Sequence, residues 1–176
     1  SQLMPLLAVP IKRSITAWGT AALTALAPLG WASGFGRWSP PLRQCRMVHA
    51  GAAHPCAALR VEQTLEGYLT LRFVGQGDEP LATQEMSFSG TLANSSQPMV
   101  CSGDGRCLQP SPGLQLQVET VAWWRFNGRG LAQGHALGRL AVGQCALQDS
   151  RLICEADLHS PGLPPQRWSA QAELRP

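Results

Sequence analysis

The sequence predicts an all-β protein, an antiparallel β-sandwich or small barrel of about seven strands, preceded by an N-terminal signal or anchor helix. Three observations lead to this fold class. From residue 59 onward the apolar residues recur with a period of two, which is typical of half-buried strands. Turn-forming Gly, Pro, Asn and Asp residues separate runs of strand length. Apart from residues 47 to 58, where a short helix fits, no run of the body has a helical period.

The first 32 residues have the order of a secretory signal. Lys12 and Arg13 precede an uncharged run of eighteen residues, Ile15 to Ala32, which ends in small residues that suit cleavage after Ala32. Eighteen residues is also close to the minimum length for crossing a bilayer, so a retained membrane anchor is the alternative. Both interpretations predict an exported protein, periplasmic or extracellular, which contacts a membrane only through this segment and only if the segment is not cleaved.

Beyond residue 32 the composition indicates a linker and one domain. Residues 33 to 42 are rich in Gly, Ser and Pro, and residues 43 to 176 form a disulfide-containing β domain. The chain after residue 32 holds twelve arginines, no lysine and eleven acidic residues, a formal charge of +1. Because these arginines are scattered, the sequence predicts no nucleic-acid partner. It also lacks a phosphate-binding glycine pattern and a calcium loop, so we expect no cofactor.

The first predicted hairpin joins residues 59–65 to residues 69–73. Apolar and polar residues alternate in both strands, and the apolar ones are Leu59, Val61, Leu65, Leu69, Leu71 and Phe73. A short connection centred on Gly67 lets both apolar sets fall on one side of the hairpin. After a polar loop, a third strand continues the alternation with Met86, Phe88 and Leu92.

The fourth predicted strand, from residue 114 to residue 126, is the longest. One face carries Leu114, Leu116, Val118, Ala122, Trp124 and Phe126. The other face carries Gln115, Gln117, Glu119, Trp123 and Arg125. Asn127-Gly128 ends the strand with the strongest short signal for a type I′ turn.

Three further strands complete the set. They cover residues 140–147, 152–158 and 168–175, and a Pro-rich loop precedes the last one. In that closing strand one face carries Trp168, Ala170, Ala172 and Leu174. Seven short strands separated by turn signals are typical of a sandwich or a small barrel.

Six cysteines in an exported domain predict disulfides, and fifteen pairings are possible in principle. A two-residue turn at positions 149 and 150 places Cys145 directly opposite Cys154. They then form a non-hydrogen-bonded pair, the closer of the two cross-strand spacings, which suits a disulfide. Cys101 and Cys107 enclose a tight Gly-rich loop and close naturally on each other.

Exclusion then pairs Cys45 with Cys56, but these two cysteines also allow a metal site. Together with His49 and His54 they supply the sulfur and imidazole ligands that zinc prefers. The spacing is unusual for zinc, and in an oxidising compartment a disulfide is the better use of two cysteines. A zinc-binding secreted domain is therefore the less favoured alternative.

Glu155, Asp157 and His159 form the candidate catalytic set. They occupy alternate positions of one strand and share a face, which would suit general acid and base work in a small secreted hydrolase. A solvated strand face gives the same pattern and is favoured. The register set by the 145–154 disulfide places Gln144, Val142 and Leu140 against this charged face. Because two of these residues are apolar, we expect a bulge near residue 143 or a cover over one end of the face.

The best binding candidate is the outward set on the long strand, Gln115, Gln117, Trp123 and Arg125. An aromatic ring flanked by amide and guanidinium groups suits a sugar ring, a peptide or a partner surface. Burial of Trp123 under a loop or a second sheet is the alternative. The loop that carries Asp104 and Arg106 is the second candidate. The sequence thus favours an exported non-catalytic binding or envelope-associated β domain with an unknown protein, peptide or glycan ligand.

Overall fold

The computed structural model describes residues 35–93, 98–108, 113–134 and 138–176. The predicted signal or anchor helix, residues 1 to 32, lies outside these ranges. The described part has no helix and forms one antiparallel sheet of ten strands. In chain order they are β1 (Gly36–Trp38), β2 (Leu42–His49), β3 (Ala52–Pro55), β4 (Ala58–Leu65), β5 (Tyr68–Gln76), β6 (Thr83–Leu92), β7 (Gln115–Phe126), β8 (Arg139–Gln148), β9 (Arg151–Leu158) and β10 (Gln166–Leu174).

Seven of these strands, β4 to β10, form a meander in which each strand pairs with the next one along the chain. They correspond to the seven strands that the period-two pattern predicts. Strands β1 to β3 are additional. They lie where the sequence indicates a linker and a short helix. The sequence does not predict β2 as a strand, because its inward residues are Cys45, Met47 and His49 and give no apolar alternation.

The N-terminal strands hydrogen-bond to both edges of the meander. Strand β1 pairs with β4, and β2 pairs with β10 on one side and β3 on the other. Only two residues separate β3 from β4, and the N–H of Ala57 between them donates to the carbonyl of Val74 on β5. The turn between β2 and β3 is formed by Ala50 and Gly51, both at positive φ (49° and 77°), as a type I′ turn requires.

One apolar core collects the inward-facing residues of β2 and of β4 to β10. Its fully buried side chains include Phe73 and Phe88, whose rings meet edge to face with their centroids 6.0 Å apart. Met47 and Leu71 are equally buried. Large side chains from every part of the sheet therefore fill the interior.

Three disulfides join Cys45 to Cys56, Cys101 to Cys107 and Cys145 to Cys154. These are the pairs that the spacing favours. The third bridge links residues directly opposite each other on β8 and β9, and both of its cysteines lie in the core.

A β-bulge exchanges the two faces of β7 halfway along the strand. The register between β6 and β7 shifts by one residue between Ser89 and Gly90, which leaves Glu119 without a counterpart on β6. Beyond this point Val121 and Trp123 pack on the core. The residues that face outward are Ala122, Trp124 and Phe126. The prediction of one uninterrupted alternation is correct before the bulge and wrong after it.

The segment from residue 98 to residue 108 packs against the core at the Gln63 end of β4. Gln63 is 2% exposed, donates from Nε2 to the carbonyl of Met99 at 3.1 Å, and accepts the N–H of Met99 at 3.0 Å. The loop closed by Cys101 and Cys107 also exchanges backbone hydrogen bonds with Arg37 of β1. Buried polar groups that satisfy each other in this way fix the position of the segment.

The bulge predicts a strict requirement for glycine at position 90. A Cβ atom there would lie 1.8 Å from the carbonyl oxygen of Gln117, which is backbone and cannot rotate away. We expect Gly90→Ala to lower the free energy of unfolding by about 1–3 kcal/mol, the cost of overpacking with a backbone shift. Chemical denaturation measures this loss. The matched control is Gly138→Ala, whose Cβ would meet no atom within 4 Å, and equal stability of the two variants would contradict the close approach.

The Gln63 side chain predicts a second, local effect. Gln63→Leu leaves the N–H and the carbonyl of Met99 buried without their partner, which should cost about 2–4 kcal/mol in the free energy of unfolding. The Met99 amide should also exchange with deuterium faster than in the wild type. Gln148→Leu, at an exposed end of β8, is the control and should leave both quantities unchanged. Slow exchange at Met99 in the Gln63 variant would show that other contacts hold the segment.

Candidate functional site

The four predicted binding residues of β7 do not share a surface. Gln115 and Gln117 lie on the outer side before the bulge, opposite residues of β8. Trp123 lies after the bulge and packs on the core. Arg125 lies at the end of the strand and is paired with Asp78 of the β5–β6 loop at 3.0 Å. Trp123 is covered, as the alternative prediction has it, and not exposed. The residue inserted at the bulge, Glu119, turns the Trp123 side chain inward.

Trp123 belongs to an imidazole–indole cluster formed by His49, His54, Trp123 and Trp168. The His49 ring stacks on Trp123 with centroids 4.3 Å apart and a 6° angle, and it meets Trp168 edge to face at 4.7 Å. The His54 ring lies 5.3 Å from Trp123. Burial, and secondarily the neighbouring His54, lowers the pKa of His49 below its ordinary value. The cluster therefore packs an uncharged imidazole between two indoles.

The disulfide between Cys45 and Cys56 removes two of the four ligands of the alternative zinc site. Neither sulfur is a thiolate, and the thiolate is the form that binds zinc. His49 and His54 are engaged with the indole rings instead. Within the ranges that the structure describes, no group of three or more His, Cys, Asp or Glu side chains is placed to hold a metal ion.

Glu155 and Asp157 lie on the outer side of β9, as their alternation predicts, and the exposed His159 directly follows the end of the strand. Asp157 accepts two hydrogen bonds from Arg167, at 2.9 and 3.1 Å, and this pairing lowers the pKa of its carboxyl group. A general acid at neutral pH needs the opposite shift. Asp157 therefore has the properties of an ion-paired surface carboxylate and not those of a catalytic acid.

The apolar residues that face this set across β8 and β9 are exposed. Val142 pairs with Asp157 and Gln144 with Glu155 without a register shift between the two strands. Leu140 is 83% exposed and Val142 is 71% exposed. Between β8 and β9 the register is continuous, but between β7 and β8 it shifts from the Val118–Gly143 pair to the Thr120–Leu140 pair, so the bulge expected near residue 143 lies on the β7 side.

Asp104 and Arg106, the second binding candidate, lie in the loop closed by Cys101 and Cys107. Ser102 donates its hydroxyl hydrogen to Asp104, and the N–H of Arg106 donates to the same carboxylate at 3.1 Å. These two hydrogen bonds, in that order, lower the pKa of Asp104. The carboxylate is thus bound within its own loop, and the Arg106 side chain is 90% exposed.

A charged network that the sequence does not reveal lies on the outer side of β1, β4, β5 and β6. We call it the arginine–glutamate network, and its members are Arg37, Arg60, Glu62, Arg72 and Glu85. Glu62 contacts Arg37 at 2.9 Å and Arg72 at 3.1 Å. Glu85 contacts Arg60 at 3.8 Å and Arg72 at 3.9 Å. Each carboxylate therefore bridges two guanidinium groups, and Arg72 joins the two halves.

An aromatic pair borders this network. Trp124 lies directly across from Glu85 in the β6–β7 register, and Phe126 lies across from Thr83. The two rings are nearly parallel, with centroids 6.0 Å apart and a 13° angle, and both are half-buried. Phe126 shares a cleft of about 430 Å³ with the network, lined by Arg60, Glu62, Arg72, Val74, Thr83, Glu85, Phe126 and Gly130. This cleft combines charge, hydrogen-bonding groups and an aromatic wall on one face.

Comparisons of the chain with protein-family models, with curated proteins and with solved structures find no match. Among the described residues, no helix has the length and apolar character needed to cross a membrane.

The neutral imidazole of His49 predicts that acidification destabilises the fold. The unfolded chain binds a proton near the ordinary histidine pKa of 6.5, whereas the folded chain resists it because the folded-state pKa is lowered. The stability from this group is present above 6.5 and is lost as the pH falls toward the folded-state value. His49→Gln should therefore cost stability near neutral pH, and the cost should shrink on acidification.

Chemical denaturation of both proteins from about pH 7.5 to about pH 5, the range in which histidine titrates, measures this change. The informative quantity is the difference in unfolding free energy between wild type and variant at each pH. A difference that stays constant over that range would contradict the burial of a neutral His49.

Proposed function

We propose that this protein is an exported, non-catalytic binding domain whose ligand site is the outer face of β4 to β7. Export is supported by two independent features. The N-terminal sequence has the order of a secretory signal. All six cysteines are paired in disulfides, which persist in oxidising compartments such as the periplasm or the extracellular space.

We infer further that the sheet closes into a small barrel of eight continuous strands. Strands β1 and β2 are separated by three residues and act as one strand, as do β3 and β4. The first of these combined strands pairs with the second along one side and with β10 along the other. An eight-stranded barrel has an interior just wide enough for side chains to fill, and this argues for a ligand site on the outside.

A non-catalytic role is supported by the state of the acidic side chains. Asp157 is bound by Arg167, and Asp104 is bound within its own loop. Both groups have lowered pKa values, as expected of stable carboxylates rather than of proton donors. A small hydrolase that uses the carboxylates of β9 is accordingly the weaker alternative.

One observation carries the proposed site, namely the Phe126 wall beside the arginine–glutamate network in a single cleft. Its volume of about 430 Å³ is close to that of other depressions on the surface, so the chemistry of its lining distinguishes it rather than its size. Guanidinium groups and an aromatic ring are also the groups most enriched where proteins bind partners. The arrangement is suited to binding.

Phe126→Ala should weaken binding by at least about tenfold, because it removes the aromatic wall of the cleft, and aromatic contacts commonly contribute that much. The measurement is an array of glycans and peptides probed with the labelled, oxidised chain, followed by titration of the best ligand. Circular dichroism checks that the variant is folded.

Leu140→Ala is the matched control, because Leu140 is an exposed apolar residue on the outer side of β8, away from the cleft. It should bind as the wild type does. If the Phe126 variant binds as tightly as the wild type, or if both variants lose the same affinity, the outer face of β4 to β7 is not the ligand site.

A further inference from the structure

The cleft presents positive charge outermost and negative charge beneath it. The side chains of Arg60 and Arg72 are 45% and 30% exposed, whereas those of Glu62 and Glu85 are 21% and 10% exposed. Two guanidinium groups and two carboxylates line the cleft, and the guanidinium groups are the more exposed. A ligand that approaches from solvent therefore meets guanidinium groups first, and an anionic ligand is favoured.

The guanidinium groups keep hydrogen-bond donors for such a ligand. The contacts of Glu85 with Arg60 and Arg72, at 3.8 and 3.9 Å, are longer than hydrogen bonds. Arg72 donates from Nε to Glu62, which leaves its terminal nitrogens at the longer distance. Each guanidinium has five N–H groups in a planar fork that matches the two oxygens of a carboxylate. Arg60 and Arg72 can therefore bind a carboxylate directly.

The aromatic wall selects among carboxylate ligands. Phe126 offers a half-buried ring on the same cleft, and the parallel Trp124 ring supports it from the side. A sugar ring has an apolar C–H face that packs on an aromatic ring, and hydroxyl groups around its edge. In a uronic acid the carboxylate is attached to that same ring. A rigid unit of this kind reaches the aromatic wall and the guanidinium groups together, whereas an acidic peptide carries its carboxylates on flexible chains.

We propose that this cleft binds acidic glycans, with a uronic-acid ring on Phe126 and its carboxylate on Arg60 and Arg72. This inference rests on the proposed function and names the ligand class of the same site. Glu62 and Glu85 hold the guanidinium groups in place from below and accept hydrogen bonds from the sugar hydroxyls.

The test compares three probes by calorimetric titration of the oxidised full chain. They are oligogalacturonate, the same oligosaccharide with its carboxyl groups reduced to alcohols, and oligoglutamate of similar charge. Oligogalacturonate should bind at least about tenfold more tightly than either of the others.

Arg60→Gln should weaken oligogalacturonate binding by about tenfold and leave binding of the reduced oligosaccharide unchanged. Arg151→Gln removes an exposed arginine of β9 as the charge-matched control and should change neither.

The outcomes separate this inference from the proposed function. If the reduced oligosaccharide binds as tightly as the acidic one and Phe126→Ala abolishes binding of both, the proposed binding site is supported and the uronic-acid inference is wrong. If oligoglutamate binds as tightly as oligogalacturonate, the ligand class is an acidic peptide and the glycan inference falls. If Arg151→Gln weakens binding as much as Arg60→Gln, attraction is nonspecific and the inference falls. If none of the three probes binds, the uronic-acid inference is wrong, and the proposed function is then decided by the glycan and peptide array.

Discussion

The pairing of β1 and β2 with the two edges of the meander is the constraint on which the rest of the structure depends. A meander of seven strands alone would leave two rows of unpaired backbone groups at its outer strands. Here β1 bonds to β4, and β2 bonds to β10. This places Met47 among the apolar side chains of the meander and lets one core include residues from nearly every strand. The Cys45–Cys56 disulfide then ties β2 to the start of β4.

The bulge at Glu119 determines which aromatic residue of β7 faces the core and which faces the outer side of the sheet. Before the bulge β7 has polar residues outside and apolar residues inside. After it, Trp123 is turned toward His49 in the imidazole–indole cluster, and Trp124 is turned toward the arginine–glutamate network. An uninterrupted strand would reverse these two positions. One inserted residue therefore completes the packing at one end of the core and also supplies the outer cleft with its aromatic border.

The meander and the local disulfides could be predicted from the sequence because their signals are local. Alternation within each strand and the turn between Cys145 and Cys154 depend on residues close together in the chain. The faces beyond Glu119 could not be predicted, since the residue that permits the close approach, Gly90, lies on the neighbouring strand. The network was missed for a related reason. Its members come from four strands and meet only when the registers of all four are known.

The arginine–glutamate network is a weak source of stability, which fits the binding role proposed for it. Ion pairs at a protein surface contribute little to stability, and a carboxylate withdrawn from water is stabilised only when short hydrogen bonds replace its hydration. The side chain of Glu85 is 10% exposed, yet its guanidinium contacts are 3.8 and 3.9 Å long. A ligand carboxylate on Arg60 and Arg72 would take up donors that the network leaves unused. Arg60 and the tip of the Arg72 guanidinium therefore keep donors for the anionic ligand proposed above, while Nε of Arg72 stays bonded to Glu62.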